Sequence, residues 1–315
     1  MSLNPTSLGR KLRFAQILVF EQVLRSGSIL RAAQALNMTQ PAVTKVIHEL
    51  ESHLGAPLLI RGNRGVTTTE FGELVARRAK TLLAELRHLT DEISAFREGT
   101  SGQVLIGTLI SASAVLLPRA IQLLKEQAPA VSVTLRVGQM DQLLPALAVG
   151  DLDVVVGRIP EDVSWRATAP GLEAEILHRE PLCVVGGVHH PMASRASTTL
   201  QALSDYPWIL PTRDSSLRQT AERLFYDTGL ALPANVVESL SVMTNVALMF
   251  DQKTLGLMPR SAARQFVDTG SLAMIPLEHA PSFGDVGFFA VPGTLAVRAV
   301  ELFKDCLRAA AREVG

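Results

Sequence analysis

From Thr69 to about Phe96 the sequence keeps a helical pattern with few breakers. Its apolar positions fall at Phe71, Leu74, Val75, Ala79, Leu82, Leu83, Leu86, Leu89, Ile93 and Phe96. Close to 28 residues of helix with such a stripe is more than a small domain can cover by itself. A dimerising linker helix packed against its twin accounts for it best, the alternative being an ordinary amphipathic helix lying on the C-terminal domain. The helix also divides the chain into a head, residues 1–68, and, after the break Glu98-Gly-Thr-Ser-Gly102, a large body.

The head reads as helices followed by a hairpin. Residues 13–25 place Phe14, Ile17, Leu18, Phe20, Val23 and Leu24 at helical spacing. From Ser28 to Glu51 two short amphipathic helices follow, joined by a tight turn at Leu36-Asn37-Met38. The second opens on a Thr39 cap with Pro41 in its first turn. Its outward positions Gln40, Thr44, Lys45 and His48 are polar, which is how a helix-turn-helix reads the major groove of DNA. Gln pairs bidentately with adenine, Pro or Ala touches a thymine methyl, and Lys reaches guanine or phosphate. Thr44 has the alternative of satisfying a helix carbonyl, and His48 of being a solvated face residue. Leu58-Leu-Ile-Arg61 and Val66-Thr-Thr-Thr69 flank a Gly62-Asn-Arg-Gly65 turn and predict a hairpin, or wing, with Arg61 and Arg64 at its tip. There they are placed to contact backbone phosphate or to enter a minor groove, and Arg31 is likewise expected nearer the backbone than the bases. Formal net charge is zero over 315 residues, yet residues 1–68 hold eight Lys/Arg against three acids, a net +5. The remainder holds 22 against 27, a net −5, so only the head is suited to phosphate.

Beyond residue 102 strands alternate with helices: Val104–Leu109, Leu116–Glu126, Val131–Val137, Met140–Val149, Leu152–Val156, then a long strand at Glu175–Val185. The theme resumes from Trp208 to a closing helix at Val297–Arg312, predicting βαβ units, a mostly parallel sheet and two lobes around a cleft. Ligands of open α/β sheets bind beyond the carboxyl ends of strands. That rule picks out Ser111 and Ser113, Gly138 and Gln139, and Arg158 in the first lobe, and Thr212, Arg213, Ser215 and Thr244 in the second. These hydroxyls, backbone amides and arginines suit a small carboxylate, although each Ser or Thr has helix capping as its alternative. The Gly-Leu-Met-Pro259 strand end also falls near the cleft.

Other signals bound the function. Cys183 and Cys306 are too few for a disulfide scaffold and fit a reducing cytosol. His189-His-Pro191 lacks the partners of a metal site and reads as a turn. No signal peptide or membrane span is evident, so the expectation is a cytoplasmic protein without membrane contact. The Gly-x-Ser-x-Gly elbow, the dinucleotide and phosphate loops and zinc spacings are all missing, so no enzyme and no cofactor is expected. The competing class is a constitutive DNA-binding protein whose C-terminal lobes only mediate assembly.

The head closely resembles the LysR-type transcriptional regulators. The matching residues are Ser28, Ala32-Ala33, Leu36, Thr39-Gln-Pro-Ala-Val43, Lys45, Leu50-Glu51, Leu54-Gly55, Pro57-Leu58, Arg61, Arg64-Gly65 and Thr69-Glu-Phe-Gly72. Leu59 departs from a frequent Phe, and Thr68 from a frequent Leu. Thr44 before Lys45, with Glu-Phe-Gly at 70–72, resembles a subgroup that includes regulators of protocatechuate catabolism and of a sugar-binding protein gene. The resemblance implies an all-α winged helix-turn-helix at 1–68 and a linker helix at 69–98. It also implies a two-lobed periplasmic-binding-protein-like α/β domain at 102–315, with lobes at about 102–178 plus 281–315 and 179–280. It further implies double-stranded promoter DNA and a small-molecule effector, here an aromatic or sugar acid, as partners, and a homodimer assembling to a homotetramer.

Overall fold

The computed structural model describes residues 8–9, 11–62, 65–98, 102–109, 115–160, 165–166, 169–213, 215–279, 282–292 and 298–314. Arg64, Ser111 and Ser113 lie outside the described residues, as does the side chain of Arg61. The chain forms two compact units, Met1–Thr90 with Val149–Asp151, and Asp91–Ala148 with Leu152–Gly315.

In the first unit α1 (Phe14–Ser26), α2 (Ile29–Ala35) and α3 (Gln40–Leu54) precede the antiparallel strands β1 (Leu59–Gly62) and β2 (Gly65–Thr68). The long helix α4 (Glu70–Glu98) follows. Each helix stops where its sequence tells it to. Gly27 ends α1 and Gly55 ends α3, both left-handed. Asn37, with φ of 53°, ends α2: its amide and that of Met38 donate to the carbonyls of Gln34 and Ala33. That pair of bonds is the Schellman arrangement, with Asn in the place usually taken by Gly. Thr39 Oγ1 accepts from the Ala42 amide at 3.4 Å, the expected cap of α3. Phe20, Val23, Ala32, Val43, Ile47 and Leu58 are sealed in one core under the three helices and the hairpin.

The second unit carries β3 (Gly102–Thr108), α5 (Leu116–Gln127), β4 (Val131–Val137), α6 (Met140–Ala148), β5 (Val154–Arg158) and the 15-residue β6 (Glu173–Gly187). Then come α7 (Leu200–Leu203), β7 (Trp208–Leu210), α8 (Ser216–Asp227), β8 (Val236–Glu238), α9 (Val242–Met249), β9 (Leu255–Pro259) and α10 (Arg260–Asp268). Strands β10 (Leu272–Ile275) and β11 (Ser282–Ala290) and helix α11 (Arg298–Val314) complete it. Strand order is β4-β3-β5-β11-β6-β9-β7-β8, with β10 also on β6.

The expected mostly parallel sheet needs correction. β3, β4 and β5 run parallel, as do β7, β8 and β9, but every pairing of β6 and β11 is antiparallel. Those two long strands carry the chain from one lobe to the other and back, so they run opposite to each other. β6 changes partners along its length: Glu173–Pro181 face β11, whereas Leu182–Val185 face β9. The changeover falls at Pro181, whose missing N–H suits a point where one ladder stops. Just before it, the Glu180 carboxylate is buried and accepts from the Ser261 amide at 2.9 Å, with His178 Nε2 3.2 Å away. Burial pushes that carboxyl up, but these hydrogen bonds outweigh it and hold it below its ordinary value. The crossover strand is thereby pinned to the first turn of α10.

Candidate functional site

Helix α3 is oriented by its buried face. Val43, Ile47 and Leu50, at i, i+4 and i+7, enter the core. This leaves Gln40, Pro41, Lys45 and His48 exposed and Thr44 half-buried on the other side. Arg31 is exposed on α2, where its amide donates to Ser28 Oγ at 3.5 Å. His48 Nδ1 lies 3.3 Å from Glu51 Oε2, so His48 has a fixed neighbour besides solvent.

Hydrogen bonds at its entry, its crossing and its exit fix the hairpin among the helices. Glu51 Oε1 accepts from the amides of Leu58 at 2.8 Å and Leu59 at 3.3 Å, at the entry to β1. The Val66 amide donates to the Gly27 carbonyl at 3.1 Å, and a Cβ on Gly65 (φ +122°) would lie 2.6 Å from that oxygen. Glycine is therefore required where the hairpin crosses the α1–α2 turn. At the hairpin's exit, Thr69 Oγ1 accepts from the Gly72 amide and donates to the Pro57 carbonyl, both at 2.8 Å. The residues of this scaffold are evident in the sequence, but the part played by Glu51 is not, its one signal being its place a turn before the helix end.

In the second unit a cavity of about 240 Å³ lies between the lobes. Leu109, Val137, Gly138, Gln139 and Gln142 form one wall. Ile209–Pro211, Ser215, Leu217, Ser239, Leu240, Val242, Asn245 and Leu257–Pro259 form the other. The strand-end rule thus finds Gly138, Gln139, Ser215 and the Leu-Met-Pro259 end. The apolar wall arises from the same rule, because the last residues of buried strands are aliphatic. No charged side chain is among the described lining residues.

Four expected effector residues lie elsewhere. Arg158 is the last residue of β5, not a loop residue after it. It pairs with Val286, and its guanidinium lies 5.6 Å from the Phe283 ring centroid. Arg213 is 83% exposed and 3.5 Å from Glu238. Thr244 belongs to the capping of α9: its amide donates to Ser241 Oγ at 3.3 Å, and the two hydroxyls are 2.8 Å apart. Thr212 follows the lining residue Pro211 without lining the cavity itself, and its Oγ1 is buried and meets no partner among the described residues. Ser215 both caps α8, accepting from the Leu217 amide at 3.2 Å, and lines the cavity. Behind it the buried Arg218 gives its charge to Glu222 at 2.7 Å and Glu238 at 2.9 Å.

His189-His-Pro191 forms a turn. The His190 ring donates from Nε2 to the Lys253 carbonyl at 3.1 Å, accepts the Met192 amide on Nδ1 at 3.1 Å, and lies against Tyr206 with ring centroids 4.7 Å apart. Among the described residues no group of three or more His, Cys, Asp and Glu is placed to hold a metal, and no helix is long and apolar enough to cross a membrane. Burial pushes the His190 imidazole below its ordinary value of 6.5, against the opposing effects of Lys253 and Asp251. The folded state therefore binds fewer protons than the unfolded chain as pH falls through 6.5, and stability declines with acidity there. The unfolding midpoint of the second unit is expected to drop between pH 7 and 5. His190→Gln, which cannot charge, should flatten that dependence; an unchanged slope would acquit His190.

Comparison with known proteins matches this geometry. Residues 14–73 match the family described as "Bacterial regulatory helix-turn-helix protein, lysR family", and residues 97–312 match "LysR substrate binding domain". The HTH-type transcriptional regulator PcaQ of Agrobacterium fabrum is 30% identical over 97% of each chain. The HTH-type transcriptional regulator GbpR of Rhizobium radiobacter is 34% identical over 75% of this chain and 78% of its own. A full-length OxyR variant from Pseudomonas aeruginosa superposes with a TM-score of 0.71 at 20% identity, covering 96% of this chain and 97% of that one. A head built to lay α3 into a groove, a two-lobed body with a cleft, and these matches over both have one reading: the chain belongs to the LysR family of DNA-binding transcriptional regulators, which pair a helix-turn-helix with an effector-binding domain.

Proposed function

We propose that this regulator reads promoter DNA through Gln40, Pro41, Thr44, Lys45 and His48 in the major groove, with Arg31, Arg61 and Arg64 on the backbone. The exposed polar face of α3 opposite Val43, Ile47 and Leu50 carries this reading. The protein acts in the cytoplasm as a dimer that assembles to a tetramer, joined through the stripe on α4. Its domains are 1–68, 69–98 and 102–315, with the lobes dividing along β6. Lys45→Ala is expected to weaken operator binding and to lower the slope of log affinity against log salt by about one, since one phosphate or groove cation is lost. An unchanged affinity and slope would remove Lys45 from the interface.

The effector is an organic acid with an apolar, aromatic body seated between the lobes. The aliphatic wall supports an aromatic over a sugar acid, because a polyol would lose water from its hydroxyls without replacing those bonds. The carboxylate is met by Ser215 and the N-terminus of α8, together with the backbone at Gly138–Gln139. Binding favours one arrangement of the assembled subunits and hence one spacing of half-sites. An effector at a hundred times its Kd stabilises the native state by about 2.7 kcal/mol, which a thermal shift detects. If no member of a broad acid panel moves the melting point, the cleft loses this role, and the constitutive DNA-binding alternative takes its place.

A further inference from the structure

Three carboxamides line the cleft, Gln139 and Gln142 on one lobe and Asn245 on the other. Asn245 differs from its surroundings. It lies in α9, where its backbone amide donates to the Ser241 carbonyl at 2.9 Å, so the helix is closed at this point. Its side-chain Oδ1 is buried and meets no donor among the described residues. On the same wall Leu240, Val242, Leu257 and Met258 have no side-chain donor to offer, and neither Ser215 nor Ser239 donates to it. A buried acceptor left without a donor destabilises the protein that carries it, and native structures retain few of them. An orphan on a cavity wall has a simple remedy, a ligand that brings the donor.

We propose that Asn245 reads an uncharged hydrogen-bond donor, a hydroxyl or an N–H, on the effector. This inference rests on the effector reading of the cleft and narrows it. A carboxylate cannot be the partner of Oδ1, because it has no hydrogen to give and its charge repels the amide oxygen. The effector therefore carries two distinct polar groups on an apolar body: an acid group toward Ser215 and a donor toward α9. Sites that hydrogen-bond a ligand hydroxyl reject the analogue lacking it far more strongly than apolar pockets reject a missing methylene. Asn245 is accordingly the specificity residue of this wall.

The test uses the full chain in two measurements. Without ligand, Asn245→Leu removes the orphan and keeps the volume, so the variant should melt about 2 °C or more above the unsubstituted protein. A lower melting point would mean that the amide is already satisfied and would overturn the proposal. The second measurement is calorimetric titration with benzoate and its three monohydroxy isomers. At least one isomer should bind about tenfold or more tightly than benzoate, a difference of about 1.4 kcal/mol, and Asn245→Leu should erase that preference. Equal affinities in the unsubstituted protein, or a preference that survives in Asn245→Leu, overturn it. So does a failure of all four to bind while other organic acids do. Failure of every organic acid to bind instead overturns the effector reading of the cleft, and this inference with it.

Discussion

Replacing Gly72 with alanine is expected to cost the first unit about 2–4 kcal/mol, a loss on the scale of a well-packed core residue. The change looks benign, since alanine is the better helix former by about 1 kcal/mol. Here, however, a Cβ would lie 2.0 Å from the Leu58 carbonyl oxygen, 2.9 Å from its carbon and 3.2 Å from its Cα. All three are backbone atoms, so no side chain can swing aside. Leu58 itself is fully buried in the helical core, its amide donates to Glu51, and its carbonyl accepts from the Thr69 amide. Relief must come from moving either the root of the wing or the first turn of α4, and each route breaks part of that network. Chemical denaturation followed by circular dichroism should show the transition of the first unit at much lower denaturant, with operator affinity reduced at temperatures where the wild type is folded. Gly62→Ala is the control, because a Cβ there meets nothing within 4 Å. If Gly72→Ala unfolds like the control, the close approach of α4 to β1 does not set the stability of the winged unit.

Gly72 also shows what a sequence displays and what it hides. Its place in the Thr69-Glu-Phe-Gly72 run helped identify the fold, yet the reason for glycine, a carbonyl fourteen residues earlier in the chain, is a tertiary fact. The same division holds elsewhere. Thr39, Asn37 and Gly55 mark helix ends through bonds to residues within one turn, so α2 and α3 were legible almost to the residue. Val131–Val137 and Trp208–Leu210 were legible because β-prone residues are bounded there by turn formers. Direction is not: an apolar run reads the same whether its neighbour is parallel or antiparallel, so the antiparallel pairing of β6 and β11 does not show in the sequence. The strand predicted at Leu152–Val156 lies two residues later, at Val154–Arg158, and that shift takes Arg158 out of the expected loop and onto the sheet. In the cleft, strand ends could be found by rule, but Asn245 sits mid-helix in an apolar segment where no spacing distinguishes it.

The largest effect on function should come from the surface of α4. Leu82, Leu86, Leu89 and Ile93 repeat at spacings of 4, 3 and 4 and are each 36–50% exposed in the single chain. That spacing suits the seam of a two-helix coiled coil, and in the dimer proposed above it is this stripe that is taken out of water. Leu86→Lys combined with Leu89→Lys should therefore leave each unit folded while abolishing the dimer. Burying one leucine is worth roughly 1.5–3 kcal/mol, so losing the pair costs roughly 3–6 kcal/mol per subunit, hence roughly 6–12 kcal/mol for the dimer, or about four to nine orders of magnitude in Kd. DNA binding falls with it. Two linked heads on two half-sites gain about 10²–10⁴ in affinity from effective concentration alone, without any new contact. The double variant should thus sediment as a monomer and bind a two-half-site operator no better than a single half-site. Its affinity for the single half-site should equal that of the unsubstituted protein, because α3 and the wing are untouched. The competing explanation of the stripe, an amphipathic helix lying on its own chain, predicts a different result: a lower melting point with assembly and operator affinity unchanged. A variant that remains dimeric and binds the full operator at wild-type strength would decide for that explanation and move the dimer interface off α4.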